Sequence, residues 1–279
     1  MRYPIAMIPY ANMAPFQQMG PPEGCEFVEC IPRHSIQALR EEQVLAAAVP
    51  VGGLGYLTDV VEPLGPYGIA VQSNSMSVLL FSDRPFEQLR APLTIGLTGE
   101  SASSVRLLYL MLGFQHGFDA VPLLAAKGRS GNGYLVIGDR ALKWAREFDQ
   151  TGAARGYTHV TDLAVLWHRH YRLPFVFARW VVHRNASDGL KALLRQWLQR
   201  FSTQEKKLIE QSAPGVAERL ELPQEYVRHY LRVIRRCLTA EDDAAQQRFM
   251  EELRRHGRGM PFKQVGEALG CRDGKERSI

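Results

Sequence analysis

The feature that most constrains this sequence is an alternation of short apolar runs and helical stretches over its first two-thirds. Runs of strand length with β-branched or aromatic content lie at 5–8, 26–31, 44–51, 69–71, 77–81, 93–97, 134–137 and 176–182. Helical periodicity occupies 35–42, 103–114, 140–148 and 162–171 between them. Strands that alternate with helices predict an α/β fold with a largely parallel sheet.

The pattern changes at Gly189. From 189 to 257 no run has strand character, and apolar residues recur at helical spacing, which predicts a helical C-terminal region. Pro214 and Pro223 are predicted to mark helix boundaries, and Thr239, followed by acidic residues, is predicted to begin a helix.

Composition and charge narrow the class of partner. The 279 residues are 46% hydrophobic and 23% charged, values typical of a globular chain rather than a disordered or coiled-coil one. The net charge of +5 is spread along the sequence, and its densest run, which includes Arg232, Arg235 and Arg236, is predicted to lie on a solvated helix face. This distribution favours small anionic ligands over nucleic acid.

The cysteines and the N-terminus bear on the compartment. The four cysteines are scattered without a Cys-x-x-Cys pair, so we expect reduced thiols and neither a disulfide framework nor a zinc site. Residues 1–15 carry one charge and three prolines and do not resemble a signal peptide, which favours a cytoplasmic location. The longest uncharged stretch, 63–82, contains too many polar residues for a membrane span.

A serine-rich segment is the strongest local signal for a ligand. Ser101, Ser103 and Ser104 follow the predicted strand 93–97 and open a predicted helix. Such a helix start offers backbone N–H groups, hydroxyls and the positive end of the helix dipole to an anion such as a carboxylate. Simple N-capping by one serine explains the same pattern, and spacing alone leaves both interpretations open.

A series of motifs, taken in order, resembles a known family. They are Tyr10-x-Asn12-x-x-Pro15, Ser77-Val-Leu-Leu-Phe-Ser82, Glu100-Ser101-x-Ser103-Ser104-Val-Arg-Leu107, Val136-Ile-Gly138-Asp139-x-Ala-Leu142, Asp162-Leu-x-x-x-Trp167 and Leu173-Pro-Phe-Val-Phe-Ala-x-Trp180. The series resembles the chorismate dehydratases of the futalosine route to menaquinone, and the resemblance covers about 3–257.

The resemblance implies a two-lobed α/β fold of the type II periplasmic-binding-protein kind, with a ligand cleft between the lobes. One lobe would contain 1–86 and 181–279, and the other 87–180. The implied activity is a carbon–oxygen lyase that removes water from chorismate to give 3-(1-carboxyvinyloxy)benzoate, with no metal or organic cofactor.

The same resemblance implies roles for individual residues. Asn12 and Ser77 would be catalytic. Substrate binding would involve Ser101, Ser103, Ser104, Gly138 and Asp139. The segment 173–180 is predicted to be buried, with Phe177 in the core.

Three points stay open from the sequence. The motif acids Glu100 and Asp139 would be repelled by a dianionic substrate, so a carboxylate of the substrate is an alternative general base. The segment 42–54 departs from the family pattern and carries Gly52-Gly53, which could enlarge the pocket. Finally, the same scaffold could serve a non-catalytic binder of an aromatic carboxylate or the sister enzyme that cleaves the futalosine-derived intermediate.

Overall fold

The strands of this chain form two separate sheets. The computed structural model describes residues 2–97, 102–124 and 131–257. Its strands are β1 (Tyr3–Met7), β2 (Cys25–Glu29), β3 (Ala46–Pro50), β4 (Val61–Val71), β5 (Val78–Ser82), β6 (Thr94–Leu97), β7 (Leu123–Leu124), β8 (Gly133–Ile137), β9 (His159–Asp162), β10 (Phe175–His183) and β11 (Ile234–Cys237). A six-stranded sheet has the order β11-β4-β10-β3-β1-β2, and a five-stranded sheet has the order β7-β6-β8-β5-β9. Every predicted strand is present.

Both sheets are mixed, so the prediction of a largely parallel sheet was wrong. The pairs β1–β2, β1–β3, β6–β7 and β6–β8 are parallel. In contrast, β10 runs antiparallel to β3 and β4, and β5 runs antiparallel to β8 and β9. Because β5 and β10 each enter their sheet from the other one, neither is bound to the parallel direction that a strand–helix–strand unit within one sheet imposes.

The helices largely follow the predicted periodicity. They are α1 (Ala14–Met19), α2 (His34–Arg40), α3 (Ala102–His116), α4 (Gly138–Thr151), α5 (Leu163–Tyr171), α6 (Asp188–Leu220), α7 (Gln224–Val233) and α8 (Ala240–His256). Thr239 caps α8 in a reciprocal capping box with Asp242, as its position predicted. Within the described ranges no helix combines the length and the apolar composition that crossing a membrane requires.

Pro214 does not end a helix, contrary to prediction. It lies inside α6, and residues on both sides of it, Ala213 and Val216 among them, are buried. This continuous packed face outweighs the lost backbone hydrogen bond and keeps the helix intact. The boundary predicted at Pro223 is confirmed, since α6 ends at Leu220 and α7 begins at Gln224.

The arginines near the end of α7 lie partly on a strand rather than on a solvated helix face. Arg235 and Arg236 belong to β11, which pairs with β4. Side chains alternate along a strand, and here Arg236 points inward and is fully buried. Arg235 instead binds the Asp242 carboxylate at 2.8 and 2.6 Å.

Each sheet forms the framework of one lobe. The chain passes from the first sheet to the second between Val71 and Val78 and returns between Asp162 and Phe175. The predicted limits at 86 and 180 would assign β5 and most of β10 to the opposite lobes. We propose that the lobe limits lie at these two crossings, which bring polar residues from both lobes to a common edge.

Candidate functional site

A cleft lies between the two sheets and is partly open to solvent, and the empty space in and at the mouth of the cleft amounts to about 610 Å³. The first sheet and its loops contribute Ile8, Tyr10, Asn12, Pro32, Pro50, Ile69, Val71, Phe177, Ala178 and Ile234. The second lobe and the crossing that leads into it contribute Ser75, Ser77, Val78, Ser104, Ile137 and Gly138. Four of the predicted site residues therefore line one cleft, and none of its described lining side chains is a carboxylate, an ammonium, a guanidinium or an imidazole.

Asn12 follows β1 in a short 3-10 helix, Ala11–Met13. Its Oδ1 atom is buried and accepts no hydrogen bond from the residues that the structure describes. The backbone carbonyl of Asn12, in contrast, accepts from both Nε and Nη2 of Arg236, at 3.2 and 3.0 Å. Arg236 thus fixes the backbone of Asn12, which lines the cleft, while the buried carboxamide oxygen has no donor among the described residues.

Arg236 was not recognised from the sequence as part of the site. Its Nη1 donates to Glu205 at 3.0 Å and to the carbonyls of Leu231 and Ile234. Burial lowers the pKa of its guanidinium, and the Glu205 carboxylate opposes that effect. The sequence signal was weak, because only the β-branched residues Val233 and Ile234 before the arginines favour a strand.

Ser77 lies at the crossing into β5 and is almost fully buried. Its Oγ donates to the Ser75 carbonyl at 3.2 Å and accepts from the Tyr230 hydroxyl at 3.1 Å. Its own carbonyl accepts from the Gly138 N–H at 2.9 Å. Ser77 therefore has contacts with a C-terminal helix and with the start of α4 at the same time.

The turn before Ser77 is held by the carboxylate of Asp162. Its Oδ2 accepts from the N–H and the hydroxyl of Ser75, both at 2.9 Å, and from the N–H of Met76 at 2.8 Å. Its Oδ1 caps α5 by accepting from Ala164 N–H at 2.8 Å. Burial raises the pKa of Asp162, against the opposing effect of these hydrogen bonds. Asp162 does not line the cleft, but it fixes the turn that leads to Ser77.

The serine-rich helix start divides between two roles. Ser104, in the first turn of α3, lines the cleft. Ser103 Oγ accepts from Gly52 N–H and donates to the Phe177 carbonyl, both at 3.0 Å, so this hydroxyl ties α3 to the other lobe instead of lining the cleft. Ser101 and Glu100 lie outside the described residues.

Gly138 and Asp139, predicted together as substrate-binding, also differ in placement. Gly138 lines the cleft with φ +62°, and a Cβ there would meet ring carbons of Tyr10 at 3.0 Å. Asp139 is not among the lining residues. Its Oδ1 accepts from Ala11 N–H at 2.7 Å, and its Oδ2 pairs with Arg219 at 2.6 Å, so Asp139 connects α4 to the first lobe.

The unusual Gly52-Gly53 pair permits close packing rather than a wider pocket. A Cβ on Gly52 would lie 3.0 Å from the Cα of Ser103, and one on Gly53 would lie 2.3 Å from Cδ1 of Ile36. The glycines thus let the 3-10 helix Val51–Tyr56 approach α3 and α2. Within 49–54, only Pro50 is among the lining residues.

The prediction that Phe177 lies in the core was wrong, and its neighbour Phe175 on β10 is the buried one. Phe175 is 1% exposed and packs against Trp167 and Phe249. Phe177, predicted to be core, is half-buried and lines the cleft. A register shift between Val176 and Ala178 explains the difference, because a bulge breaks the alternation that would place residues 175 and 177 on one face.

Comparisons with known proteins identify the family of this chain. A family model described as menaquinone biosynthesis matches residues 3–255. The chain belongs to the menaquinone biosynthesis family. A chorismate dehydratase of Thermus thermophilus is 30% identical over 277 residues, which is 93% of this chain and 96% of that protein.

Solved structures identify the fold of this menaquinone biosynthesis protein. A protein of Archaeoglobus fulgidus superposes with a TM-score of 0.65 at 14% identity and covers 92% of this chain and 98% of its own. The periplasmic aliphatic sulphonate binding protein of Escherichia coli superposes with a TM-score of 0.62 at 13% identity, over 94% of both chains. The fold is the two-lobed periplasmic-binding-protein fold, as the motifs implied.

The residues that the structure describes contain no group of three or more histidine, cysteine or acidic side chains placed to hold a metal ion. Cys25, Cys30 and Cys237 are free thiols. The polar groups that line the cleft are hydroxyls, one carboxamide and backbone groups, and such groups bind ligands by hydrogen bonds.

Proposed function

We propose that this member of the menaquinone biosynthesis family is a chorismate dehydratase, a hydro-lyase that converts chorismate to 3-(1-carboxyvinyloxy)benzoate. The observation that carries the proposal is that Asn12, Ser77, Ser104 and Gly138, from four separate segments, line one cleft. The name of the Thermus thermophilus relative supports the choice of substrate.

The character of the cleft suits a small cyclic dianion held by neutral donors. Chorismate carries two carboxylates on a small cyclic body. Ser104 lies in the first turn of α3, and Gly138 begins α4, so two helix N-termini meet the cleft. Helix N-termini stabilise anions through N–H groups and the helix dipole. The apolar walls, which include Ile69 and Phe177, would pack against the ring.

The reaction removes one ring proton and one hydroxyl group, and the ring becomes aromatic. In the proposed mechanism the Nδ2 group of Asn12 and the hydroxyl of Ser77 donate hydrogen bonds to the departing oxygen, and these bonds strengthen as negative charge develops there. The proposed base is the enolpyruvyl carboxylate of the substrate, since the described lining residues include no carboxylate, lysine or histidine. The proton then leaves with the hydroxide as water.

Turnover of chorismate by the purified protein is the direct test. The product should be lighter by one water molecule, with the ultraviolet absorption of a benzoate in place of that of a diene. Asn12→Ala and Ser77→Ala should each lower kcat about 10²-fold. Ser104→Ala should chiefly raise KM. Asn185→Ala, at an exposed position after β10, is the matched control and should leave both constants unchanged.

Two other outcomes point to different functions. Tight binding of chorismate without conversion would contradict the dehydratase and indicate a binding protein. Absence of both binding and conversion would indicate another ligand, such as the substrate of the sister enzyme.

A further inference from the structure

The residue of interest is Tyr230, on the first-lobe helix α7. It is fully buried, does not line the cleft, and lies in a region of the sequence outside the motifs that carry the family resemblance. Its hydroxyl donates to Oγ of Ser77 at 3.1 Å, across 153 positions of sequence. A buried phenol could form this bond merely to satisfy its own hydroxyl, so its effect on Ser77 decides what it does.

The direction of the hydrogen bonds makes that effect specific. Burial raises the pKa of Tyr230, so the phenol stays protonated and remains a donor through the neutral range. Ser77 Oγ in turn donates its one proton to the Ser75 carbonyl at 3.2 Å. In a chain of hydroxyls, accepting a hydrogen bond strengthens the bond that the same hydroxyl donates. Tyr230 thus holds one lone pair of Ser77 and polarises its O–H group.

We propose that Tyr230 is a positioning residue that acts through Ser77. It fixes Oγ of Ser77 at the cleft and leaves the Ser77 proton free to turn from the Ser75 carbonyl to the oxygen that departs from the substrate. The proposal rests on the proposed dehydratase function, in which Ser77 assists that departure. Tyr230 itself does not touch the substrate.

The test uses Tyr230→Phe, which keeps the buried ring and removes only the hydroxyl. We expect kcat to fall about tenfold or more while KM changes less than about threefold, because the lost bond acts on the developing charge. Tyr226→Phe, four residues earlier on α7 and outside the cleft lining, is the matched control and should keep the wild-type kcat. Unchanged kcat in Tyr230→Phe would overturn the proposal.

A double-mutant cycle separates action through Ser77 from a general loosening of the fold. In a Ser77→Ala background, removing the Tyr230 hydroxyl should have no further effect on kcat, since both substitutions eliminate the same interaction. A loss that multiplies in the double variant contradicts the proposal, even if each single variant is slow.

A crystal structure of Tyr230→Phe gives a readout that does not depend on chorismate. We expect Oγ of Ser77 to leave its wild-type rotamer or to occupy more than one. If wild-type protein fails to convert chorismate but Ser77 moves in this variant, the proposed function fails and the positioning role stands. If wild type is active and Ser77 keeps one unchanged rotamer in Tyr230→Phe, the positioning role is wrong.

Discussion

The two proposed catalytic residues are held in opposite ways. Asn12 is fixed through its backbone carbonyl by a single buried cation, Arg236, and its carboxamide oxygen has no donor in the described structure. Ser77 is held through its own hydroxyl and through a turn that the Asp162 carboxylate fixes. Where one buried charge supports a residue, replacing that charge should cause a large loss of stability. Where several hydrogen bonds support a residue, removing one of them should cause a smaller loss.

The largest effect should come from Arg236→Met. The substitution removes both donors to the Asn12 carbonyl and leaves Glu205 without its partner. Breaking a buried ion pair costs about 3–5 kcal/mol, and we expect about 3 because the Glu205 side chain is 21% exposed. Chemical denaturation would measure this loss of stability. We also expect kcat to fall, because the backbone of Asn12 loses the two donors that hold it in place.

Arg232→Gln is the control for that variant. Arg232 pairs with Glu210 at 2.7 Å on the surface, and such pairs contribute up to about 1 kcal/mol. Equal destabilisation by the two substitutions would show that Arg236 supports Asn12 no more than a surface pair would.

A smaller loss of stability is expected from Asp162→Asn, which weakens the hydrogen bonds that hold the turn before Ser77. Both oxygens of the Asp162 carboxylate accept hydrogen bonds from backbone N–H groups. The side chain of asparagine has only one accepting oxygen, so its NH₂ group would face some of these donors. Unpaired buried donors cost about 1–3 kcal/mol, and part of the network would survive. Thermal or chemical unfolding gives the loss.

Asp83→Asn serves as the comparison for this substitution. Asp83 is an exposed acid just after β5 that binds Arg84 and Asn132, and its replacement should cost less than about 1 kcal/mol. If Asp162→Asn is as stable as wild type, the distributed support of Ser77 does not depend on the carboxylate.

The smallest effect should come from substitution of the glycines at the two ends of α4. Gly138→Ala and Gly152→Ala both place a Cβ at positive φ, +62° and +76°, which costs about 1–2 kcal/mol. Only at Gly138 does the new atom meet Tyr10, at 3.0 Å, while nothing lies within 4 Å at Gly152. Gly138→Ala should therefore raise KM for chorismate, and Gly152→Ala should not. Equal KM values in the two variants would show that the contact between the new Cβ and Tyr10 does not affect chorismate binding.

Local residue patterns were sufficient for the elements of this fold. The eight predicted strands are all present, because short β-branched runs between glycines and prolines have few alternatives. Patterns failed where partners far along the chain decide the outcome. The predicted boundary at Pro214 and the missed strand β11 are both cases in which packing against distant segments outweighs local preference.

The sequence by itself determined the identity of the family and four residues of the cleft, because motifs at strand ends and helix starts meet at one edge of the lobes in this architecture. Only the tertiary structure decided that Ser103 and Asp139 connect lobes, that Phe177 faces the cleft, and which distant residues support Asn12 and Ser77. Arg236 and Tyr230 are separated from those residues by 224 and 153 positions. A hydrogen bond forms only when the tertiary structure brings donor and acceptor within about 3 Å of each other. The spacing of residues along one sequence does not indicate which distant residues meet in this way.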